Sequence, residues 1–452
     1  MDFLTGNVKP IYYKYLKAAF GSALITSIYG IVDMAMVGNY QGPDGTAALA
    51  VVMPVWNIIY SLGLLMGIGG SVLFSTLRGK DQDDQARSNE YFTIAAIGAV
   101  ILAAATWVGL IFFDKQLLVL FGAKDNLLPL AQRYVLPVKF VVPLFLFNQA
   151  LAAFLRNDGD PGLATKAVLI GGVFNVFGDY FCVFVLDWGM FGAGFATAAG
   201  STLSFLVMLT HFFGKKNTLR LVKPGQPFRK LREICVTGFS TFFIDVAMGI
   251  LTVFFNRQIL KYLGSSALSV YAVIINISGF VQCCSYSVGQ AAQPIISTNF
   301  GADNGGRIRE TLKYALQTTA FFSLFWTVLS MAIPNTYVNL FMAPTDEILQ
   351  IAPAIIRTYS ISFLLLPLNI FSTYYFQAVM KPGTSFIVSV SRGAVVSGIF
   401  ILLLPMVTGP DSIWFAMPIT ELLVAIYVVY KMVRYTKALP NQGKSMQDVR
   451  RY

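Results

Sequence analysis

The sequence predicts an all-α membrane protein, with twelve transmembrane helices in two pseudo-symmetric six-helix lobes. Three observations predict it. Of 452 residues, 56% are hydrophobic and only 12% charged, about half the charge of an ordinary soluble chain, and the mean hydropathy is +0.65. Apolar runs of about 20 residues or more, long enough to cross a hydrocarbon core about 30 Å thick, recur from end to end. The two halves also echo each other at an offset near 222 residues.

The runs fall at approximately 11–38, 48–77, 91–113, 128–155, 162–186, 191–213, 233–260, 266–298, 313–334, 348–378, 383–406 and 411–433, numbered here as spans 1 to 12. The first ten residues are polar and the first run is too long for the apolar region of a signal peptide, so span 1 is expected to stay. Lys and Arg concentrate on one set of loops: Lys9, Arg78, Lys80, Arg87, Arg156, Lys166, the cluster from Lys215 to Arg232, Arg307, Arg309, Lys381 and the tail from Lys437 to Arg451. The opposite loops hold little beyond Lys115 and Lys124, which Asp114 and Asp125 partly balance. Cytoplasmic loops retain cationic residues, so both termini are expected in the cytoplasm and the chain in the cell membrane. The net charge of +11 is explained by this topology and by anionic lipid, and no aromatic-interleaved basic patch suggests nucleic acid.

The repeat sets the architecture. Ser75, Thr76, Gly79, Asp81 and Arg87 match Ser297, Thr298, Gly301, Asp303 and Arg309 at an offset of 222, and Asn148, Pro161 and Gly162 match Asn369, Pro382 and Gly383 at 221. Six spans per copy is an even number, so the copies enter the membrane in the same orientation, the usual build of a secondary transporter. The expected domains are an N-lobe over 1–213, a cytoplasmic linker over 214–232 and a C-lobe with its tail over 233–452. The linker reads as a tether. Pro54, Pro137, Pro143, Pro294, Pro353 and Pro367 each remove a backbone donor and can bend a span. Gly67-Ile-Gly-Gly70 lies mid-span with no preceding strand and reads as a close-packing element.

Buried charge marks the functional candidates. Asp33 lies in an otherwise apolar stretch from Ala23 to Gly38, and Asp179 ends a second one beginning at Val168. A carboxylate at bilayer depth costs roughly 2.5–3.5 kcal/mol on insertion scales, so its default reading is functional. Pairing of these acids with Arg133, Lys139 or one another is the structural alternative. Arg392 in span 11 is a third intramembrane charge, which either pairs with a carboxylate or faces an anionic substrate. Cys182, Cys235, Cys283 and Cys284 lack metal-ligand spacing and read as packing residues, and His211 reads as a C-terminal dipole contact at a helix end. No cofactor is implied.

The segments Arg156-Asn-Asp-Gly-Asp-Pro161, Leu169-Ile-Gly-Gly-Val-Phe-Asn-Val-Phe-Gly-Asp179, Gly192-Ala-Gly-Phe-Ala-Thr197 and Gln293-Pro-Ile-Ile-Ser-Thr-Asn-Phe-Gly301, with Asp33 and Val37-Gly38 in span 1, together resemble the multidrug and toxic compound extrusion (MATE) family along the whole chain. The resemblance, closest to the DinF-like and MepA-like branches, implies an antiporter. It would export cationic or amphipathic small molecules in exchange for H+ or Na+. Carried over by motif, the coupling-ion cluster is Asp33, Asn175, Asp179 and Thr197, and Asn175 and Asp179, four apart, share one helical face. Asn148, Gln149, Asp245, Gln290 and Arg392 are the substrate-binding candidates, and apart from Na+ at the coupling cluster no metal is expected. A monomer in the lipid bilayer is expected.

The chain departs from the family pattern at three places. Span 1 has no proline between Pro10 and Pro43, leaving Gly21 and Gly30 to supply flexibility; span 7 reads Gly238-Phe-Ser where a proline is common; and residues 359–378 lack the span-10 acid of the NorM-like branch. Two other classes compete. A lipid-linked saccharide flippase would line its path with several cations, yet apart from Arg392, Lys139 and Arg257 the spans offer little. An intramembrane enzyme needs catalytic residues that one histidine and the acidic run Asp81-Gln-Asp83-Asp84 do not supply, so no enzymatic activity is expected.

Overall fold

A computed structural model describes residues 3–81, 84–123, 126–342 and 344–440. Asp83 of the acidic run, Lys124, Asp125 and the tail after residue 440 lie outside these residues. Among the described residues every regular element is helical. The elements are α1 (Val8–Gln41), α2 (Pro43–Lys80), α3 (Gln85–Leu120), α4 (Leu127–Val138), α5 (Val142–Asn157), α6 (Pro161–Asp179), α7 (Gly189–Leu209), α8 (Pro227–Tyr262), α9 (Gly264–Gly301), α10 (Gly305–Ala332), α11 (Pro334–Phe341), α12 (Asp346–Ser360), α13 (Leu366–Ala378), α14 (Pro382–Val390), α15 (Val396–Val407) and α16 (Ala416–Ala438).

Eleven helical stretches are long and apolar enough to cross a membrane, and α4 with α5, bent by 61°, make a twelfth if counted as one span. The chain is a multi-pass membrane protein. Its apolar side chains turn outward as a bilayer requires, with Leu120, Phe177 and Val407 more than 70% exposed. Helices outrun the apolar runs by several residues because polar caps carry them on: Asp84 accepts from the Arg87 N–H to start α3, and Asn304 from the Arg307 N–H to start α10. Those starts, Gln85 and Gly305, lie 220 residues apart, so Arg87 corresponds in place to Arg307 rather than to Arg309.

The prolines act in two ways. Pro137 and Pro143 flank the bend between α4 and α5, and Pro367 opens α13 after a 3-10 turn, whereas Pro54, Pro294 and Pro353 sit inside continuous helices. Gly67-Ile-Gly-Gly70 is a close-packing element, as expected. A Cβ on Gly67 would come within 2.8 Å of Ala150 Cα on α5, and one on Gly69 within 2.2 Å of the Ile234 carbonyl on α8.

The chain divides into two compact units, Lys17–Phe242 and the described residues of Asp2–Leu16 with Phe243–Tyr452. The divisions fall inside α1 and α8. In the first unit α2 packs on α3 and α5, and α6 on α7; in the second α9 packs on α10 and α13 in the same relation. Residues 214–226 belong to the first unit and are fastened to it. The backbone N–H groups of Thr218, Arg220, Val222 and Gly225 donate in turn to Asp158, Asn89, Thr93 and Glu90 side chains, and Lys230 closes onto Glu90. The expected tether is therefore a strap, because the start of α3 and the end of α5 offer it polar side chains. The chain's beginning belongs to the second unit: Phe3 is buried, its carbonyl accepts from Arg307 and Asn299, and Tyr12 donates to Thr318.

Candidate functional site

Four helices of the first unit bring polar groups together. Small residues make this possible. A Cβ on Gly171 of α6 would lie 2.4 Å from the Gly200 carbonyl of α7, and one on Gly172 would lie 3.0 Å from Ile25 on α1. Close approach of α1, α6 and α7 thus depends on glycine, and it sets Asp33, Asn175, Asp179 and Thr197 side by side. Asp179 is the last residue of α6 and a π-helical turn over Tyr180–Val185 follows it, a local widening frequent at functional sites.

The hydrogen bonds form one directed chain. Asn175 donates to Asp179 Oδ1 at 3.4 Å and to Thr197 Oγ1 at 3.2 Å. The Thr197 and Tyr134 hydroxyls are 3.2 Å apart, and Tyr134 donates to Asp33 Oδ2 at 3.0 Å. With the tyrosine proton directed to Asp33, Thr197 donates to the tyrosine oxygen, so both carboxylates receive protons and give none. Three oxygens remain: Asp33 Oδ1, Asn175 Oδ1 and Asp179 Oδ2 are buried with no hydrogen-bond partner among the described residues. Asp179 is fully buried and Asp33 half-buried. Among the described residues no ion pair reaches either acid, and Lys139 pairs instead with Asp114 at 3.3 Å.

Tyr134, from α4, joins the four residues that sequence motifs indicated. Nothing in the chain distinguishes it from the other 20 of its 21 tyrosines, because its role comes from the bend after α4. A small cavity of about 50 Å³ opens beside the cluster, lined by Asn175, Thr197, Asn148, Gln149 and Ser201 with Gly171 and Gly200. That is room for a few waters. Asn148 donates to the Ser201 carbonyl and hydroxyl, both at 3.0 Å, and its own carbonyl oxygen is unpartnered. Among the described residues no group of three or more His, Cys, Asp or Glu side chains could hold a metal ion.

The remaining candidates lie in the second unit. Asp245 accepts from Tyr286 at 3.2 Å, and Gln290 stands half-buried one turn further along α9. Arg392, in a π-helical turn over Ser391–Val395, donates to Glu421 Oε1 at 2.6 Å. Asn369 donates to the other oxygen at 2.7 Å and to the Glu421 carbonyl at 2.9 Å. Of the two alternatives left open for Arg392, the carboxylate partner is the one present. Glu421, fully buried on α16, escaped the sequence reading although an acid in Ile419-Thr-Glu-Leu-Leu423 carries the same signal as Asp33.

His211 needs correction. Its ring is buried in a 3-10 turn, with Nε2 2.7 Å from Asp158 Oδ2 and Nδ1 3.6 Å from Asp160. It meets carboxylates rather than a helix dipole, because the chain curls back over the start of α6. Burial alone would raise the Asp158 pKa, but hydrogen bonds from His211, the Thr218 side chain and backbone, and Arg78 outweigh it, holding the carboxyl below its ordinary value of 3.8.

The chain matches the sequence model of the MatE family twice, over residues 18–181 and 241–403. The two matches begin 223 residues apart, in the register of the repeat. Multidrug export protein MepA of Staphylococcus aureus is 24% identical over 417 residues, 90% of each chain. The protein of that name from Staphylococcus saprophyticus is 24% identical over 382 residues, 83% of this chain and 82% of the relative. Among solved structures, a MOP superfamily transporter from Pyrococcus furiosus superposes with a TM-score of 0.89 at 20% identity, covering 97% of this chain and 98% of that one. The outward-facing conformation of a multidrug resistance MATE family transporter gives 0.87 at 20% identity with the same coverage. Two matched stretches that together span most of the sequence, in a fold of paired helical units, establish that the chain belongs to the MatE family.

Proposed function

We propose that the protein is a secondary active efflux antiporter that exports cationic or amphipathic small molecules in exchange for H+ or Na+ by alternating access, as a monomer with both termini in the cytoplasm. One observation carries the reading: two carboxylates of the first unit share a hydrogen-bonded chain and, among the described residues, each keeps one oxygen unpartnered, as does Asn175 between them, with no cation paired to either acid. Such a site gains from an incoming proton or sodium ion, which neutralises charge that the low-dielectric surroundings disfavour. The relatives' name, multidrug export protein, supports the substrate class.

In this reading Asp33, Asn175, Asp179 and Thr197 bind the ion, Tyr134 ties α1 to α7 through its hydroxyl, and Asn175 carries the link on to α6. The ion's arrival removes repulsion between the acids and lets α1 repack, favouring outward release; its departure to the cytoplasm resets the site. One charge moving across about 100 mV supplies roughly 2.3 kcal/mol, a bias of about fiftyfold. Asn148 and Gln149, on the cavity beside the ion site, are the substrate contacts in the first unit, and Asp245 and Gln290 serve in the second. Arg392 is held by Glu421 and contributes to substrate binding only when that pair opens. The units behave as an N-lobe and a C-lobe, joined through the segment at 214–232 and the helix it enters.

Efflux of fluorescent cations from proteoliposomes, with pH and sodium gradients imposed separately, tests this. One of the two gradients drives transport in the native protein, and Asp33→Asn abolishes the response to it. Transport unchanged by that substitution, or transport of no cation under either gradient, rejects the reading.

A further inference from the structure

The two units can be aligned residue by residue through their own contacts. Asn148 donates to the Ser201 carbonyl in the first unit, and Asn369 to the Glu421 carbonyl in the second. A Cβ on Gly172 would press on Ile25 at 3.0 Å, and one on Gly393 on Ala247 at 2.3 Å. Both pairs of contacts obey the 220–222 offset of the repeat.

Within that register Gly171 corresponds to Arg392, and Ser201 to Glu421. The first pair, both small, borders the open cavity. The second pair is a buried guanidinium and a buried carboxylate 2.6 Å apart, with the Asn369 amide on the carboxylate's other oxygen. A guanidinium therefore stands in the second unit where the first unit has a glycine packed against the Gly200 carbonyl, and its charge meets a carboxylate that the first unit lacks at that point.

We propose that Arg392 is a built-in cation: Glu421 and Asn369 form a guanidinium site that the chain occupies with its own side chain, so the second unit admits no outside cation there while Arg392 is in place. The ligand class is defined by the contacts, a small planar cation that can donate an N–H to the carboxylate oxygen that Asn369 leaves open. Chemical rescue of purified protein tests it. Arg392→Gly, which copies the first unit's residue, leaves Glu421 unpaired and lowers the unfolding temperature by about 5 °C or more. Low-millimolar guanidinium chloride recovers at least half of that loss, while sodium chloride at equal ionic strength and urea, the neutral isostere, recover none.

The native protein and the double variant Arg392→Gly/Glu421→Gln show no such stabilisation. The converse variant, Glu421→Ala, orphans Arg392 and is rescued by formate, giving a second route if Arg392→Gly does not accumulate. Equal response of the double variant to guanidinium, or no rescue of either single variant, overturns the proposal. Neither measurement involves transport, so the result stands whether or not Asp33 and Asp179 couple an ion.

Discussion

The two units solve the problem of buried charge in opposite ways. In the first, Asp33 and Asp179 among the described residues are tied only to neutral donors and each keeps an oxygen without a partner; in the second, Glu421 is matched by Arg392 and Asn369. By the repeat register the counterpart of Asp33 is Phe255, which is fully buried and stacks on Tyr271 at 4.8 Å. An unmatched pair of acids is costly for folding and responsive to ions, whereas a matched pair is inert until one partner is removed. One fold, duplicated, thus holds two buried acids without a cationic partner among the described residues in one copy and a matched ion pair in the other.

The contrast predicts opposite outcomes for the same kind of substitution. Asp33→Asn or Asp179→Asn removes a charge that lacks a partner: ion-driven transport falls about a hundredfold or more, while the unfolding temperature holds or rises. A loss of folded protein would break the comparison. Glu421→Gln leaves Arg392 buried and unpaired, costing about 3–5 kcal/mol of stability in chemical unfolding, and replacing Arg392 by Met as well recovers most of it. A single variant as stable as the native protein would place the two units on equal terms.

Smaller effects refine the picture at the edges of the first unit. Asp158→Asn weakens the charged hydrogen bonds from the Thr218 backbone and hydroxyl that hold the 214–226 strap, at about 1.5–3 kcal/mol each, and is read by faster proteolysis within that strap. Because the Asp158 pKa lies below 3.8 in the folded chain, the strap keeps its full hold above that value. It loses hold as pH falls through the lower native value. Proteolysis across pH 6 to 3, with pH-matched controls for the enzyme, therefore accelerates only at the acidic end. Tyr134→Phe removes a single link to Asp33 and weakens ion activation about tenfold at most, without moving the unfolding temperature by more than a few degrees.

The spans were legible because length and apolarity decide membrane crossing, and the repeat was legible because Asn148 and Asn369 keep matching jobs. Asn175 and Asp179 could be paired from their spacing alone, but their meeting with Asp33 and Thr197 came only from the family resemblance. Tyr134 was out of reach, since its hydroxyl arrives through the 61° bend between α4 and α5. The strap was hidden for a different reason. Asn89, Glu90 and Thr93 look like the solvated face of a helix start, and only the folded chain shows them receiving the N–H groups of residues more than a hundred positions away.

The buried Phe3 and its carbonyl's hold on Arg307 have a practical consequence, because Arg309 likewise binds the Leu439 carbonyl near the other end of the described chain. Residues 3 and 439 thus belong to a single body. Fluorophores attached near these two positions would travel together and stay silent during any rocking motion, so a reporter of such motion needs one label moved to the strap.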